Sequence, residues 1–189
     1  MSIRGGNLAA SDSAVVFGGA TSGRYIQQQM NAAGLGLTGN SLYGSPPLRL
    51  ARSVTFDALA VNLSTAGIGT SMVVRAGLYL LDPDTLVGTL LVDAGTADAS
   101  TTGTKVLLAS GTIPANTWYV SVLVAQGTYT TPPACATSHR AQFAHSAAAF
   151  STAVQSALGG AAGVPGALPA SITFVTSGGV GPQIAVRVA

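Results

Sequence analysis

The segment Gly111–Gly127, GTIPANTWYVSVLVAQG, carries the chain's single tryptophan, Trp118, and no charged side chain. Read with a period of two, it puts Trp118, Val120, Val122 and Val124 on one face. Tyr119, Leu123 and Ala125 fall on the other, with Ser121 as the one polar interruption. β-branched and aromatic residues at this density favour a strand, and the GTIPAN run (Gly111–Asn116) before it has turn composition.

The rest of the chain has the same character. It has 189 residues, enough for one domain with an appendage or two small units, and 48% of them are hydrophobic. Charged residues make up 7%, against roughly a quarter in ordinary domains. There is no glutamate, and Lys105 is the only lysine. The charged helix formers are thus nearly missing while Thr, Ser, Val, Gly and Ala abound, which predicts an all-β chain.

Several function classes are disfavoured on composition alone. No apolar run reaches the ~20 residues of a spanning helix, and aromatic girdles of a membrane barrel are lacking. The opening MSIRGGNLAASDSAVVFGG has no proper apolar core for a secretory leader. The arginines, from Arg4 to Arg187, are scattered, so the net charge of +2 forms no basic stripe for nucleic acid. The lone Cys135 rules out an internal disulfide and reads as a small, half-buried hydrophobe. A surface with so few charges favours association with other subunits.

Residues 1–48 are rich in Gly, Ala, Ser and Asn, with apolar islands at Ala14–Phe17 and Tyr25–Met30 and a closing Pro46-Pro47. Such a stretch buries little by itself and reads as an anchoring arm held by neighbouring subunits. Residues 49–189 read as a β-sandwich with a loop-rich insertion at about 128–170. SVTFDALAVNL puts Val54, Phe56, Ala58 and Ala60 on one face and Leu59, Val61 and Leu63 on the other, as for a strand covered on both sides. SMVVRAGLYLL ends at the turn Asp82-Pro83-Asp84; LVGTLLVDAG and KVLLAS follow, separated by the polar DASTTGT. TYTTPPACATS reads as a proline-bearing loop, SHRAQFAH as a strand, and Phe150–Leu158 as a helical turn or two stopped by Gly159-Gly160. SITFVTS and QIAVRVA close the chain as strands.

The run from VTFDALAVNLSTAGIG to SVLVAQG resembles a jelly-roll-like domain of structural proteins in tailed bacteriophages and related particles, of head-fibre, head-spike and tail-fibre type. The resemblance rests on Phe56-Asp57-Ala58-Leu59, on Ala76-Gly77-Leu78-Tyr79 leading to Asp82, and on Val87–Thr96 (VGTLLVDAGT). Thr101–Lys105 (TTGTK), Trp118-Tyr119 and Ile184–Ala189 (IAVRVA) complete it. Where the family pattern often has proline, Val87 stands before Gly88. The resemblance implies an antiparallel jelly-roll-like sandwich in a non-enzymatic virion protein at the particle surface, made in the host cytoplasm. Its partners would be its own kind, as a homotrimer, and capsid, portal or tail proteins, with host-glycan adhesion as an added role. A capsid decoration (cement) protein and a carbohydrate-binding module are the rival readings.

Candidate chemistry is sparse. His139 and His145 lie in a loop region without the G-x-S-x-G elbow of a hydrolase, and six positions apart they need a neighbouring chain to share a metal. Asp82, Asp84, Asp93 and Asp98 lack the aromatic cleft of a glycosidase. Asp82 and Asp84 are candidate calcium ligands, hard oxygens in a turn, set against an ordinary Asx-turn. FGGATSGR (Phe17–Arg24) lacks the Lys-Ser/Thr of a phosphate loop. No catalytic residue and no cofactor is expected. Trp118 reads as core. The residues expected to meet a partner are Tyr25, Ile26, Met30, Tyr129 and Phe143.

Overall fold

The computed structural model describes residues 22–26, 30–138, 157–160, 163–177 and 180–189. They form an antiparallel, jelly-roll-like β-sandwich of two seven-stranded sheets, with no helix among the described residues. The first sheet is centred on β5 (Val54–Thr65). Along one side of β5 lies β8 (Gly103–Ile113). Along the other run β14 (Ile184–Val188) and, at its far end, β10 (Ala134–Ser138). Three short strands complete the sheet: β1 (Tyr25–Ile26) on β14, and β2 (Met30–Gly36) and β13 (Gly181–Pro182) on β10.

The second sheet is built on β6 (Ile68–Leu81) and β9 (Trp118–Thr131), which pair along nearly their whole length. Beyond β6 lie β7 (Val87–Asp98), β12 (Ser171–Ser177) and β11 (Ala157–Gly160). On the other flank β9 carries β4 (Leu48–Arg49) and β3 (Leu42–Gly44). Because β3 also pairs β11, with Leu158 opposite Gly44, this sheet closes on itself as a six-stranded ring.

Two cores result, and β6 and β9 form the wall between them. Tyr119, Leu123 and Ala125 of β9, with Val74, Ala76 and Leu78 of β6, face Phe56, Leu59, Val61, Leu107 and Val186 of the first sheet. The opposite faces supply Val120, Val122, Val124, Tyr79 and Leu81 to the ring interior, which Leu42, Leu158, Ile172 and Phe174 fill from the other strands. Trp118 packs against this second core. Tyr79 and Phe174 meet edge to face, ring centroids 5.8 Å apart. Ser121, the polar break in the apolar segment, lies where its backbone N–H reaches the Ser45 hydroxyl at 3.1 Å and its carbonyl takes the Ser45 N–H at 2.7 Å.

A strap, Gly163–Ala170, plugs the ring with Val164 and Leu168. Polar side chains of β6, β7 and β9 hold it. Gln126, itself buried, donates from Nε2 to the carbonyls of Val164 and Gly166, both at 2.7 Å. Asp93 Oδ2 accepts the Leu168 N–H at 2.9 Å and the Arg75 guanidinium at 2.7 Å. The Tyr79 hydroxyl donates to the Pro169 carbonyl at 2.7 Å. Each bond to the strap satisfies a backbone group that would otherwise lie unpaired at the edge of an apolar core.

Three sequence expectations change here. The described part of the arm, 22–26 and 30–48, pairs with this chain's own strands in both sheets, whereas the sequence points to neighbouring subunits as its support. Residues 1–21 lie outside the described residues. Ala157 and Leu158, read as the end of a helical turn, belong to β11, because pairing with β12 and β3 outweighs local composition; residues 150–156 lie outside the described residues. Ala134–Ser138 is strand β10 and not loop, with Pro132-Pro133 making the corner before it.

Candidate functional site

The outward side of the first sheet is where exposed apolar surface collects. Between Phe56 and Ala58 the pairing of β5 slips by one position against both β8 and β14. Before the slip Val54 and Phe56 face the core; after it Leu59, Val61 and Leu63 do. The slip therefore turns Ala58 and Ala60 to the outer side, where they lie opposite Leu108 and Val106 of β8. On the other side of β5 the same two alanines lie opposite Arg187 and Ala185 of β14, and Arg187 in turn lies opposite Tyr25 of β1. The outcome is a shallow trough with an alanine floor between Leu108, 75% exposed, and Val106, 43%, on one bank and Tyr25, 41%, on the other.

One end of the trough deepens into an open cleft of about 290 Å³, lined by Tyr25, Ala60, Asn62, Thr104, Gln183 and Ala185. None of these six carries a charge. Tyr25 is fixed at the rim, because Arg187 bonds its hydroxyl and Asp57 Oδ1 in turn accepts from Arg187 Nε at 2.6 Å. That ion pair holds the Asp57 carboxyl below its usual range. The cleft offers an aromatic side chain, two amides and a hydroxyl, with no group that titrates near neutrality. Such a set can pack and hydrogen-bond but has no nucleophile–base pair.

The expected partner residues disperse. Tyr25 lies in the trough as described. Its neighbour Ile26 points the other way and is buried in the first core, since adjacent residues of a strand take opposite faces. Met30 sits on β2 opposite Ser138. Tyr129 is half-buried against the first core, its ring lying over Gly39. Phe143, His139 and His145 lie outside the described residues.

Asp82 and Asp84 form an Asx-turn. Asp82 Oδ1 accepts the Asp84 N–H at 2.9 Å, and that bond, with one from the Thr85 side chain, lowers the Asp82 carboxyl's pKa. Among the described residues no three His, Cys, Asp or Glu side chains gather as a metal site would need. Cys135 is wholly buried, deeper than expected, and burial pushes its thiol up to about 12. Comparison with protein-family models and with curated proteins gives no match.

Sequence reading misses Val106 and Leu108 as surface residues, because KVLLAS looks like any buried strand. The available signal is the alternation Thr104, Val106, Leu108, Ser110, Thr112, a hydroxyl-bearing face carried straight through the apolar pair.

Proposed function

We propose that this chain is a non-enzymatic structural protein at the surface of a tailed phage or phage-like particle, a fibre or spike component that works through contacts with its own kind and with other virion proteins. The observation that supports the reading is the outer face of the first sheet, alkyl and hydroxyl groups on a rigid sandwich, with Arg187 and Asp57 there already paired to each other. Covering such a face returns about 25 cal/mol per Å² of apolar surface and desolvates no unpaired charge. The experiment is to purify particles from an infected or induced host and look for this chain by mass spectrometry and by antibody labelling under the electron microscope. Labelling on the particle surface supports the proposal. Its absence from intact particles, or turnover of a polysaccharide by the purified chain, overturns it.

A second reading, attachment to a neutral host glycan, is favoured by the Tyr25 cleft, where an aromatic side chain stands beside Asn62, Gln183 and Thr104. Tyr25→Ala should then lower binding on a glycan array at least ten-fold without changing the melting temperature. Equal binding by the variant, or none by either protein, removes this reading.

A further inference from the structure

The trough has one bank that is also a sheet edge. β8 runs eleven residues, Gly103–Ile113, and among the described residues it pairs only with β5. Among the described residues its other edge makes no ladder with a second strand, although β7 comes near it. Edges of this length in β proteins are ordinarily protected by charges, by proline or by brevity. This one has neither charge nor proline beyond Lys105, whose ammonium is engaged with the Thr101 hydroxyl at 2.5 Å. The slip near Leu108–Gly111 is a bulge against β5, yet the strand continues through it. The exposed Val106 and Leu108 lie on this strand, flanked by Thr104, Ser110 and Thr112.

We propose that two copies of this chain associate edge to edge through β8, antiparallel about a two-fold axis, so that their first sheets continue as one. This deepens the reading of a self-associating surface protein by naming the contact. The occupant is argued from the strand's own side chains. Antiparallel pairing centred on Leu108 sets Thr104 opposite Thr112, Val106 opposite Ser110, and Leu108 opposite its counterpart. The Thr104–Thr112 pairs can hydrogen-bond through their hydroxyls, and the two Leu108 side chains cover each other at the centre. Lys105 chooses this register. Centred on Leu108, it faces Gly111 of the other copy, and the two ammonium groups stand about 20 Å apart at 3.3 Å per residue. Centred on Val106, they would fall on a diagonal roughly 7–8 Å apart, a like-charge contact. A two-fold contact gives even-numbered assemblies, unlike the trimer that the resemblance implies.

Cysteine placement tests both partner and register. Cys135 is buried and unreactive, so a thiol introduced on β8 is the one that oxidises. Thr104→Cys, Leu108→Cys and Thr112→Cys all fall on exposed positions and spare the core. Light scattering of the unaltered chain should give the mass of two chains or a multiple. Under mild oxidation Leu108→Cys should link to itself rapidly, while Thr104→Cys and Thr112→Cys link poorly alone but rapidly when mixed. Leu108→Lys should weaken association at least ten-fold with the circular dichroism spectrum unchanged.

A single-chain mass at millimolar concentration, a mass of three chains alone, or cross-linking indifferent to position each overturns the proposal. So does slow hydrogen exchange along β8 in a monomer, which would mean the chain covers this edge itself. A chain that is monomeric in solution yet present on particles overturns edge pairing alone and leaves the structural role standing.

Discussion

Gly77 marks a spot on β6 where the strap comes down on the wall. A Cβ there would run into the Leu168 side chain and stand 2.6 Å from the Val92 carbonyl oxygen, so Gly77→Ala should cost about 1–3 kcal/mol in urea unfolding through overpacking. Three buried acids set the response to alkali. Burial raises the Cys135 thiol and the Tyr79 phenol, the latter aided by the nearby Asp93 charge, each to about 12, and raises the Tyr119 phenol as well. All three exceed their unfolded values, near 9 for the thiol and 10 for the phenols, so the unfolded chain releases these protons first. Stability is therefore full below pH 9 and declines as pH climbs from there towards 12, which a series of thermal melts will show. A melting temperature flat to pH 11 would contradict it. In the native state Cys135 should resist a thiol reagent at pH 8 and react once urea unfolds the chain. At this scale the sequence is half legible. The two faces of Trp118–Ala125 follow from a period of two, but Tyr25 and Ile26 sit in one apolar island and only β1's pairing shows which of them points outward.

Among elements, the strap depends on side chains of β6, β7 and β9. Asp93→Ala removes the acceptor for Leu168 N–H and leaves the Arg75 guanidinium, 19% exposed, without its carboxylate. A loss of about 1–3 kcal/mol is expected, read by denaturant unfolding. Deleting residues 1–45 removes β1, β2 and β3 with the buried Leu37 and Leu42, and should leave a chain that does not melt cooperatively. Long strands bounded by local signals were readable. Asp82-Pro83-Asp84 and the polar run before Gly103 end them, and Gly103 takes the positive φ of +100° that its turn requires. β3 and β11 were not readable. They have three and four residues, rich in glycine, and exist because Leu158 meets Gly44 across more than half the chain. The slip at Asp57 was hidden too, since nothing in VTFDALAVNL announces that the inward face changes after Phe56.

For the molecule as a whole, the scarcity of ionic groups governs how it meets its surroundings. With eight basic and six acidic side chains in 189 residues, the proposed self-association should be nearly indifferent to sodium chloride between about 0.05 and 0.5 M and strengthened by sulfate. Sedimentation at several salt concentrations checks this; dissociation by moderate sodium chloride would show that charges hold the copies together. The all-β class and the crowding of neutral surface were visible in composition, because both are sums over the chain. The closed ring and its second core were not, because they depend on which distant segments pair. One wall serves both cores, and this fixes how the molecule comes apart. Neither half can loosen without uncovering a side of β6 and β9, so the amides of Val74–Leu81 and Tyr119–Ala125 should be the last to trade hydrogen for deuterium. A calorimeter should record one heat-absorption peak where two hydrophobic interiors would otherwise suggest a pair.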